Sequence, residues 1–371
     1  MARNDELNKA KTAKKDEFYT QLTDIEKELR HYRGHFRGKT IFCNCDDPFE
    51  SNFFKYFVLN FNRLGLKKLI ATCYAGSPIA GTQLTFLDLL YGKTEEAKRS
   101  NKPYKAVVTT VYDKTGDGGV DMLDIAELFK SGENELTELQ GDGDFRSPEC
   151  LALLDESDIV VTNPPFSLFR EFVATLIEHD KKFIIVGNLN AITYKEFFPL
   201  IKENKVWIGP SIHSGDRAFY VPDDYPLDAS GCGVEKETGR KFIRVKGVRW
   251  YTNLDIKQRH DELILVKRYM AEKYLKYDNF NAIDVGAILD IPCDYSGMLG
   301  VPVTLLDSYN PEQFEIIGFG KGELAKSIGV QKNFRGRFDL AYTDINGKPF
   351  CPFGRIIVRN RHPEQPKESQ S

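Results

Sequence analysis

The chain has 371 residues, 41% of them apolar, which is enough to bury a complete α/β core and a smaller second domain. A net charge of −3 gives no global sign of nucleic-acid binding, and no apolar run is long enough to cross a bilayer or to form the core of a signal peptide. Seven scattered cysteines give neither a disulfide framework nor a paired zinc motif, so we expect a soluble protein of the reducing cytoplasm.

The first part of the chain predicts a strand–loop–helix–strand unit followed by an insertion. The loop between the first strand and its helix contains no glycine, so it differs from the phosphate-binding loop of nucleotide-binding proteins. In chain order we expect a helix at 24–36, a strand at 40–43, a polar turn at 44–48, a helix at 51–64, a strand at 68–73, an insertion at about 75–140, strands at 104–112 and 136–140 (the second in the core), and helices at 122–129 and 148–154.

The most informative stretch is Asp-Ile-Val-Val-Thr-Asn-Pro-Pro-Phe at residues 158–166. Its apolar and β-branched residues, 159–162, predict a short strand buried on both faces of a parallel sheet. Pro164 and Pro165 end that strand and stiffen the loop, and a helix with Ser167 as its N-cap is expected to follow. Because ligands of open α/β sheets bind at the carboxyl ends of strands, this loop is a candidate catalytic site.

The chemistry that fits this loop is attack by a planar, conjugated amine. The lone pair of such an amine becomes nucleophilic as the nitrogen becomes pyramidal, and hydrogen-bond acceptors favour that change. The side-chain oxygen of Asn163 and the main-chain carbonyl of Pro164 are two acceptors on a rigid frame, and Phe166 offers a ring for stacking. The alternative is a proline-stiffened turn with Phe166 in the core.

The rest of the chain predicts the remainder of the sheet and a second region. We expect strands at 182–186 and 206–209, a helix at 193–202, an antiparallel hairpin of 219–221 with 245–252 that closes the sheet, and a separate small domain beyond 253. Two stretches are locally basic: residues 236–273 hold eleven Lys/Arg against five Asp/Glu, and residues 331–361 hold seven against two. A polyanion would bind these stretches first.

Several motifs resemble those of the EcoRI-type adenine-specific DNA methyltransferases. They are Asp-Glu-Phe-Tyr-Thr-Gln at 16–21, Cys-Asn-Cys-Asp-Asp-Pro at 43–48, Ser-Asn-Phe-Phe-Lys-Tyr-Phe at 51–57, Gly-Asp-Gly-Asp-Phe-Arg-Ser at 141–147, the extended loop motif at 158–170, Asn-Ala-Ile-Thr-Tyr-Lys-Glu at 190–196 and Gly-Val-Pro-Val-Thr at 300–304. The resemblance spans most of the chain, apart from the insertion after Tyr74 and residues 211–246.

The resemblance implies a Rossmann-like α/β fold, in which a mostly parallel, seven-stranded sheet binds S-adenosylmethionine, with a smaller carboxy-terminal DNA-recognition lobe. It implies methyl transfer to N6 of adenine in double-stranded DNA by direct attack, after the base is flipped out of the duplex, with no metal and no covalent enzyme intermediate. Residues 1–35 would carry a cofactor motif, residues 36–254 would form the catalytic domain, and residues 255–371 would recognise the target.

The same resemblance leaves the biological setting and some alternatives open. It implies either an orphan enzyme or a restriction–modification system, whose restriction endonuclease would share the DNA site without forming a stable complex; we expect a monomer. An Asn-Pro-Pro-aromatic loop also serves methylation of RNA adenines and of protein glutamine amides. From a different class, the chain would be a DNA-binding relative that has lost catalysis.

The resemblance also assigns site residues. Catalysis falls to Asn163, Pro164, Pro165 and Phe166. Cofactor binding falls to Tyr19, Thr20, Cys45, Asp46, Asp47, Asn52, Phe53, Cys73, Tyr74, Asp144 and Phe145. In this set Asp144 would accept a hydrogen bond from the cofactor adenine and Phe145 would stack on it, while Asp46 and Asp47 suit the sulfonium and ammonium charges. No acidic residue follows the second strand, where most methyltransferases hold the ribose.

DNA contacts are expected from cations near the loop and from the second basic stretch. We predict Arg170 and Lys195, each on a helix after a catalytic-side strand, with a solvated charge as the equally weighted alternative. From the basic stretch we predict contacts to phosphates or guanine edges by Arg335, Arg337, Arg355 and Arg359.

Overall fold

The computed structural model describes residues 19–45, 51–73, 103–221, 227, 231–236 and 238–365. The chain divides into two compact units, of which the first comprises residues 1–189 and 214–254 and the second residues 190–213 and 255–371. Residues 190–213, which we expected within the catalytic sheet, group instead with the carboxy-terminal residues. None of the helices described is both long enough and apolar enough to span a membrane.

The strands and helices of the described residues are as follows. The strands are β1 (Thr40–Cys43), β2 (Lys68–Thr72), β3 (Tyr104–Val108), β4 (Glu135–Glu138), β5 (Ile159–Thr162), β6 (Lys182–Asn188), β7 (Trp207–Ile208), β8 (Asp216–Tyr220), β9 (Gly233–Val234), β10 (Lys241–Lys246), β11 (Val248–Thr252), β12 (Ile283–Asp284), β13 (Met298–Pro302), β14 (Phe314–Phe319), β15 (Tyr342–Thr343), β16 (Pro349–Phe350) and β17 (Arg355–Asn360). The helices are α1 (Leu22–Leu29), α2 (Arg33–Phe36), α3 (Asn52–Leu59), α4 (Phe61–Leu64), α5 (Met122–Lys130), α6 (Pro148–Glu156), α7 (Phe169–Glu178), α8 (Phe198–Lys202) and α9 (Gly322–Ser327).

The first unit is built around a mostly parallel sheet, as predicted. Its strands pair in the order β4-β3-β2-β1-β5-β6-β11. The central four, β2, β1, β5 and β6, run parallel to one another, while β3 and β11 are antiparallel to their neighbours. All four residues of β1 and of β5 are buried, which explains their continuous apolar sequence. The strand order changes direction between β1 and β5, and this is where open α/β sheets bind their ligands.

Three sequence-based predictions in this unit are corrected. The strand β4 lies at the sheet edge with three of its four residues exposed, so it is not a core strand. The N-cap position of α7 is Leu168, without a side-chain hydrogen bond, and Ser167 therefore does not cap this helix. The hairpin predicted to close the sheet is divided at Gly247, whose φ of 74° turns the chain from β10 into β11. Only β11 joins the central sheet; β10 pairs with β8 in a separate three-stranded sheet.

The second unit contains a four-stranded sheet with the order β12-β13-β17-β14 and a small hairpin of β15 and β16. The side chains of Leu299, Val301 and 356–358 are completely buried and form much of its core. The predicted helix at 193–202 is a 3-10 turn at Leu189–Thr193 followed by the shorter α8. Pro199 lies in the first turn of α8. A residue without an N–H donor is favoured at the start of a helix and disfavoured in its interior, so the helix begins here and not at 193.

Candidate active site

The loop after β5 places its acceptor groups at the carboxyl edge of the parallel strands. The side chain of Asn163 is only 6% exposed, Pro164 is buried, and Pro165 and Phe166 are partly buried. The amide of Leu168 donates to the carbonyl of Pro165 at 3.0 Å and closes the turn before α7. The pairing of Phe42 with Val160 sets the ends of β1 and β5 side by side, so the loop lies at the switch point of the sheet.

The ring of Phe166 rests against a residue that the sequence did not point to. Phe219, in β8, meets Phe166 edge to face with ring centroids 6.4 Å apart and is itself buried. Edge-to-face pairs of this kind are favourable and fix the orientation of both rings. Phe166 stays partly exposed, so this contact orients the ring without enclosing the residue.

The strand β8 also connects this loop with the amino-terminal motif. Tyr19 and Tyr220 form an isolated antiparallel bridge, with N–O distances of 3.0 Å and 3.2 Å. The side-chain amide of Asn52 donates to the carbonyl of Thr20 at 2.8 Å, at the start of α3. The fold thus brings three of the predicted cofactor residues, Tyr19, Thr20 and Asn52, next to one another.

One buried hydroxyl in this group is available to a ligand. Thr20 is 6% exposed, and its Oγ1 has no hydrogen-bond partner among the residues described. A buried polar atom without a partner costs about 1–3 kcal/mol, so such an atom marks a place where a bound molecule restores a hydrogen bond. Cys45 lies nearby in sequence, just after β1, and is partly buried. Asp46, Asp47 and Tyr74 lie outside the described residues.

Phe53 joins the start of α3 to the core of the sheet. Its ring is buried and packs edge to face on Trp250 of β11, with centroids 5.9 Å apart. Its backbone amide donates to the hydroxyl of Ser51 at 3.1 Å, which caps α3. The aromatic ring at this position therefore anchors α3 to the sheet core, and its role beside the cofactor stays a prediction for the helix start.

The loop after β4 passes over the end of β2 at very short range. Gly143 has a φ of 77°, and a Cβ atom added there would lie 2.1 Å from the carbonyl oxygen of Cys73. Only glycine fits this approach, because any side chain would collide with the backbone. The close approach sets Asp144 and Phe145 beside the carboxyl end of β2.

Arg146, which the sequence motif contained without a role, organises both of these residues. Its guanidinium donates to Asp144 at 2.9 Å and 2.7 Å and to Glu171 of α7 at 2.7 Å. It also lies over the ring of Phe145, 5.2 Å from the centroid, while Phe172 packs on that ring edge to face. The Arg146 guanidinium beside Asp144 holds the pKa of that carboxyl below its usual range, so Asp144 is an ionised acceptor.

Five of the six predicted DNA-contact residues are exposed, and one, Arg355, is not. Arg335 and Arg337 are exposed, as is Arg359, which lies 3.5 Å from Glu315. Arg170 is exposed in the first turn of α7, and Lys195 is 77% exposed but lies on the turn before α8 rather than on a helix.

Arg355 is the exception and is corrected. Its side chain is 13% exposed, and its Nε donates to Asp284 at 2.9 Å. The phenol of Tyr277 donates to the same carboxylate at 2.5 Å. Arg355 is therefore part of an internal ion pair of the second unit and is not a surface cation.

The parallel sheet, with its buried Asn-Pro-Pro loop at the switch point, is consistent with a methyltransferase fold. The family model described as adenine-specific methyltransferase EcoRI matches residues 6–361, and the chain belongs to this family.

The chain is also similar to individual relatives along nearly its full length. It is 44% identical over 362 residues to the Type II methyltransferase M.EcoRI of Escherichia coli, which covers 97% of this chain and 98% of the relative. It is 37% identical to the Type II methyltransferase M.MpnI of Mycoplasma pneumoniae, with 84% of each chain covered, and 34% identical to M.MgeORF184P of Mycoplasma genitalium, with 96% of this chain and 98% of the relative covered. No solved structure matches the chain.

Proposed function

We propose that this protein methylates the N6 amine of adenine at a specific site in double-stranded DNA, as the modification enzyme of a restriction–modification system. The observation that carries the proposal is the buried Asn163 on its proline frame at the switch point of the sheet. Membership of the adenine-specific methyltransferase family and the Type II names of its relatives support it.

The residues of the loop act on the flipped adenine. The side-chain oxygen of Asn163 and the carbonyl of Pro164 accept the two amine hydrogens, which favours a pyramidal nitrogen with an available lone pair. Phe166, oriented by Phe219, stacks on the base. Asn163 and Pro164 would stabilise the positive charge that builds up on the nitrogen as the nitrogen–methyl bond forms and the sulfonium–methyl bond breaks, leaving a neutral thioether, until the nitrogen releases one proton to water.

The residues around the switch point fit S-adenosylmethionine. This cofactor, when bound, supplies a methyl group activated by a sulfonium. The buried Thr20 hydroxyl offers a hydrogen bond, the ionised Asp144 offers an acceptor for the adenine amine, and Gly143 allows the loop to approach the end of β2. We further propose that the strands of the first unit correspond to the seven-stranded Rossmann-like sheet of these enzymes, and that the second unit recognises DNA.

Arg146 already contacts both Asp144 and Phe145, and a bound cofactor must accommodate it. Both carboxylate oxygens of Asp144 already accept from Arg146, which also covers the Phe145 ring. A carboxylate oxygen has a second lone pair, so an adenine amine shares Asp144 with Arg146 rather than replacing it. The Arg146 guanidinium lies over one face of Phe145, so a stacked adenine takes the opposite face or displaces the guanidinium.

The test is transfer of tritiated methyl from the cofactor to plasmid DNA, followed by digestion to nucleosides. We expect the label in N6-methyladenine. Label in 5-methylcytosine, or loss of label on RNase or protease treatment but not on DNase treatment, would contradict the proposal and support the RNA or protein alternatives. A chain that binds DNA but neither binds the cofactor nor transfers label would be an inactive relative.

A further inference from the structure

A rigid turn in the second unit carries an unpaired basic surface. We call residues 332–339 the basic turn. It contains three cations, Lys332, Arg335 and Arg337, and within the part of the chain that the structure describes none of them forms an ion pair. Arg335, Arg337 and Phe334 are exposed, and Phe334 is a large aromatic side chain that is 51% exposed.

Asn333 gives the basic turn a fixed backbone. Its side-chain oxygen accepts from the amides of Arg335 at 2.8 Å and of Arg337 at 3.2 Å. Its side-chain nitrogen donates to the carbonyl of Asp339 at 3.0 Å and contacts the sulfur of Cys351 at 3.4 Å. Its backbone amide donates to the carbonyl of Arg337 at 2.8 Å. One side chain therefore bonds both arginine-bearing positions and the exit of the turn.

A second asparagine anchors the two ends of the same turn to the core of the unit. The side chain of Asn279 donates to the carbonyls of Gln331 at 2.8 Å and Asp339 at 2.9 Å, and accepts from the amide of Ala341 at 2.9 Å. Asn279 itself is buried. The entry and exit of the basic turn are thus held by two partly buried hydrogen bonds from one buried side chain, which is fixed in turn by a buried bond from Ala341.

The side chains on the turn are also ordered by aromatic rings. The guanidinium of Arg335 lies over the ring of Phe334, 5.1 Å from its centroid. Lys332 and Lys326 lie over Phe338 at 5.9 Å and 5.3 Å. A guanidinium held over a ring has its plane restricted, whereas a lysine ammonium is a point charge without a plane.

From these contacts we infer that the basic turn is a preformed DNA-reading element. Arg335 reads a guanine edge in a groove, Lys332 and Arg337 contact phosphates, and Asn333 is a positioning residue that sets the direction of Arg335. The partner is duplex DNA because three cations without ion-pair partners complement its backbone, and because a planar guanidinium held over a ring matches O6 and N7 of guanine. The inference rests on the proposed function. It assigns recognition of the methylated DNA sequence to particular residues of the basic turn.

The experiment separates charge from geometry in the full-length protein. After the methylated site is mapped on plasmid DNA, binding is measured on the cognate duplex and on duplexes with each base pair changed singly, at two salt concentrations. The variants are Arg335→Ala, Arg335→Lys, Asn333→Ala and Lys332→Ala. Lys182→Ala is the matched control, because Lys182 is an exposed cation at the amino end of β6, at the opposite edge of the sheet from the catalytic loop.

We expect Arg335→Lys to keep the salt dependence of wild type and to lose roughly 10- to 100-fold discrimination at one guanine position, since a good bidentate base contact contributes about 1–3 kcal/mol. Asn333→Ala should show the same pattern, while Lys332→Ala should weaken binding to all duplexes alike and flatten the salt dependence. Lys182→Ala should behave as wild type.

Wild-type discrimination in Arg335→Lys would overturn the inference, and so would an Arg335→Ala variant that only weakens all duplexes equally. If Asn333→Ala fails to fold by circular dichroism, Arg335→Lys decides alone, because an exposed arginine is replaced without loss of a backbone contact. A wild-type protein that methylates no DNA would instead refute the proposed function, so the two failures are distinct.

Discussion

The Asn-Pro-Pro loop at residues 163–165 in the first unit and the basic turn of the second unit are both constrained by their local structure, but in different surroundings. Asn163 is buried at the end of a sheet strand and framed by two prolines, whereas Arg335 is exposed on a turn held by asparagine side chains. Because Asn163 is buried, removing one hydrogen-bonding atom there should have a large effect: a hydrogen bond formed away from water is stronger and its loss costs more. The second site works in water, where geometry decides specificity and salt screens affinity.

The largest effect should come from removing the acceptor of the buried site. We expect Asn163→Ala to lower kcat by roughly 10²- to 10³-fold, the loss seen when a preorganised hydrogen-bonding group at a transition state is deleted. Affinity for the cofactor and for DNA should change little, because the contact strengthens only as the nitrogen becomes pyramidal. Single-turnover methyl transfer measures the rate, and calorimetry measures cofactor affinity.

Asn163→Asp is the matched control, because it retains the acceptor oxygen at the same position. Higher activity in Asn163→Asp than in Asn163→Ala supports the acceptor role. Equal activity in the two variants would show that the amide is needed only for packing.

The arginines of the second unit provide the next test, because Arg355 and Arg359 are close in sequence but differ in burial. Arg355→Ala removes the cation that neutralises the mostly buried Asp284 and leaves that carboxylate only the Tyr277 hydroxyl, and breaking such an ion pair typically costs about 3–5 kcal/mol of unfolding free energy. Arg359→Ala, an exposed change, should cost less than about 1 kcal/mol but weaken DNA binding.

Urea unfolding and salt-dependent DNA binding distinguish the two arginines. Should Arg355→Ala be as stable as Arg359→Ala, the assignment of Arg355 to the interior would be wrong.

A smaller effect is expected at the close approach between the cofactor loop and β2. Gly143→Ala introduces a Cβ 2.1 Å from the Cys73 carbonyl and forces an unfavourable φ, so it should destabilise the protein by roughly 1–3 kcal/mol. The displaced loop should also weaken cofactor binding. Gly141→Ala is the control, because no atom lies within 4 Å of a Cβ added there. Equal cofactor affinity in the two variants would argue against a role for this approach.

The smallest effect concerns pH. The side chain of Asp255, 2.9 Å from His260, raises the pKa of that histidine, with Glu312 at 3.6 Å adding to it. A raised folded-state pKa means that the stabilisation is fully present below the unfolded value of about 6.5 and is lost as the pH rises through the folded value. The pair is exposed, so we expect less than about 1 kcal/mol. Thermal unfolding of wild type between pH 6 and 8 should show this decline, and His260→Gln should flatten it.

Much of the catalytic edge was predictable because its signals are local. The apolar run of β5, the two prolines and the helix that follows fix the position of Asn163 without knowledge of distant contacts. Phe219 could not be found in this way, since its contact with Phe166 depends on how β8 folds back, and its sequence region departs from the family motifs. Arg146 stands in the motif at 141–147, two residues after Asp144, and a cation at that spacing could have indicated its bond to the carboxylate.

The basic stretch shows the limit of reading charge from sequence. Arg335 and Arg355 are identical residues in the same basic stretch, yet one is exposed and the other lies in an internal ion pair. Their difference depends on Asp284, which is 71 residues from Arg355 in sequence. The predicted N-cap of α7, Ser167, was wrong for a similar reason. The residue at which a helix begins depends on backbone geometry as well as on residue type.

The position of β1 between β2 and β5 has a consequence for how the protein folds. β2 follows β1 closely in the chain, after α3 and α4. By contrast, β5 is distant in sequence: the amide of Thr40 donates to the carboxylate of Asp158, which is 118 residues away. Closing so long a loop carries a large entropic cost, and contacts between distant segments form slowly. On the ribosome, β1 and β2 are complete long before β5 is synthesised, and Phe219 and β11 follow later still. The loop after β5 therefore acquires its supports late, and a nascent chain that stalls before residue 248 leaves the backbone edge of β6 unpaired and open to aggregation.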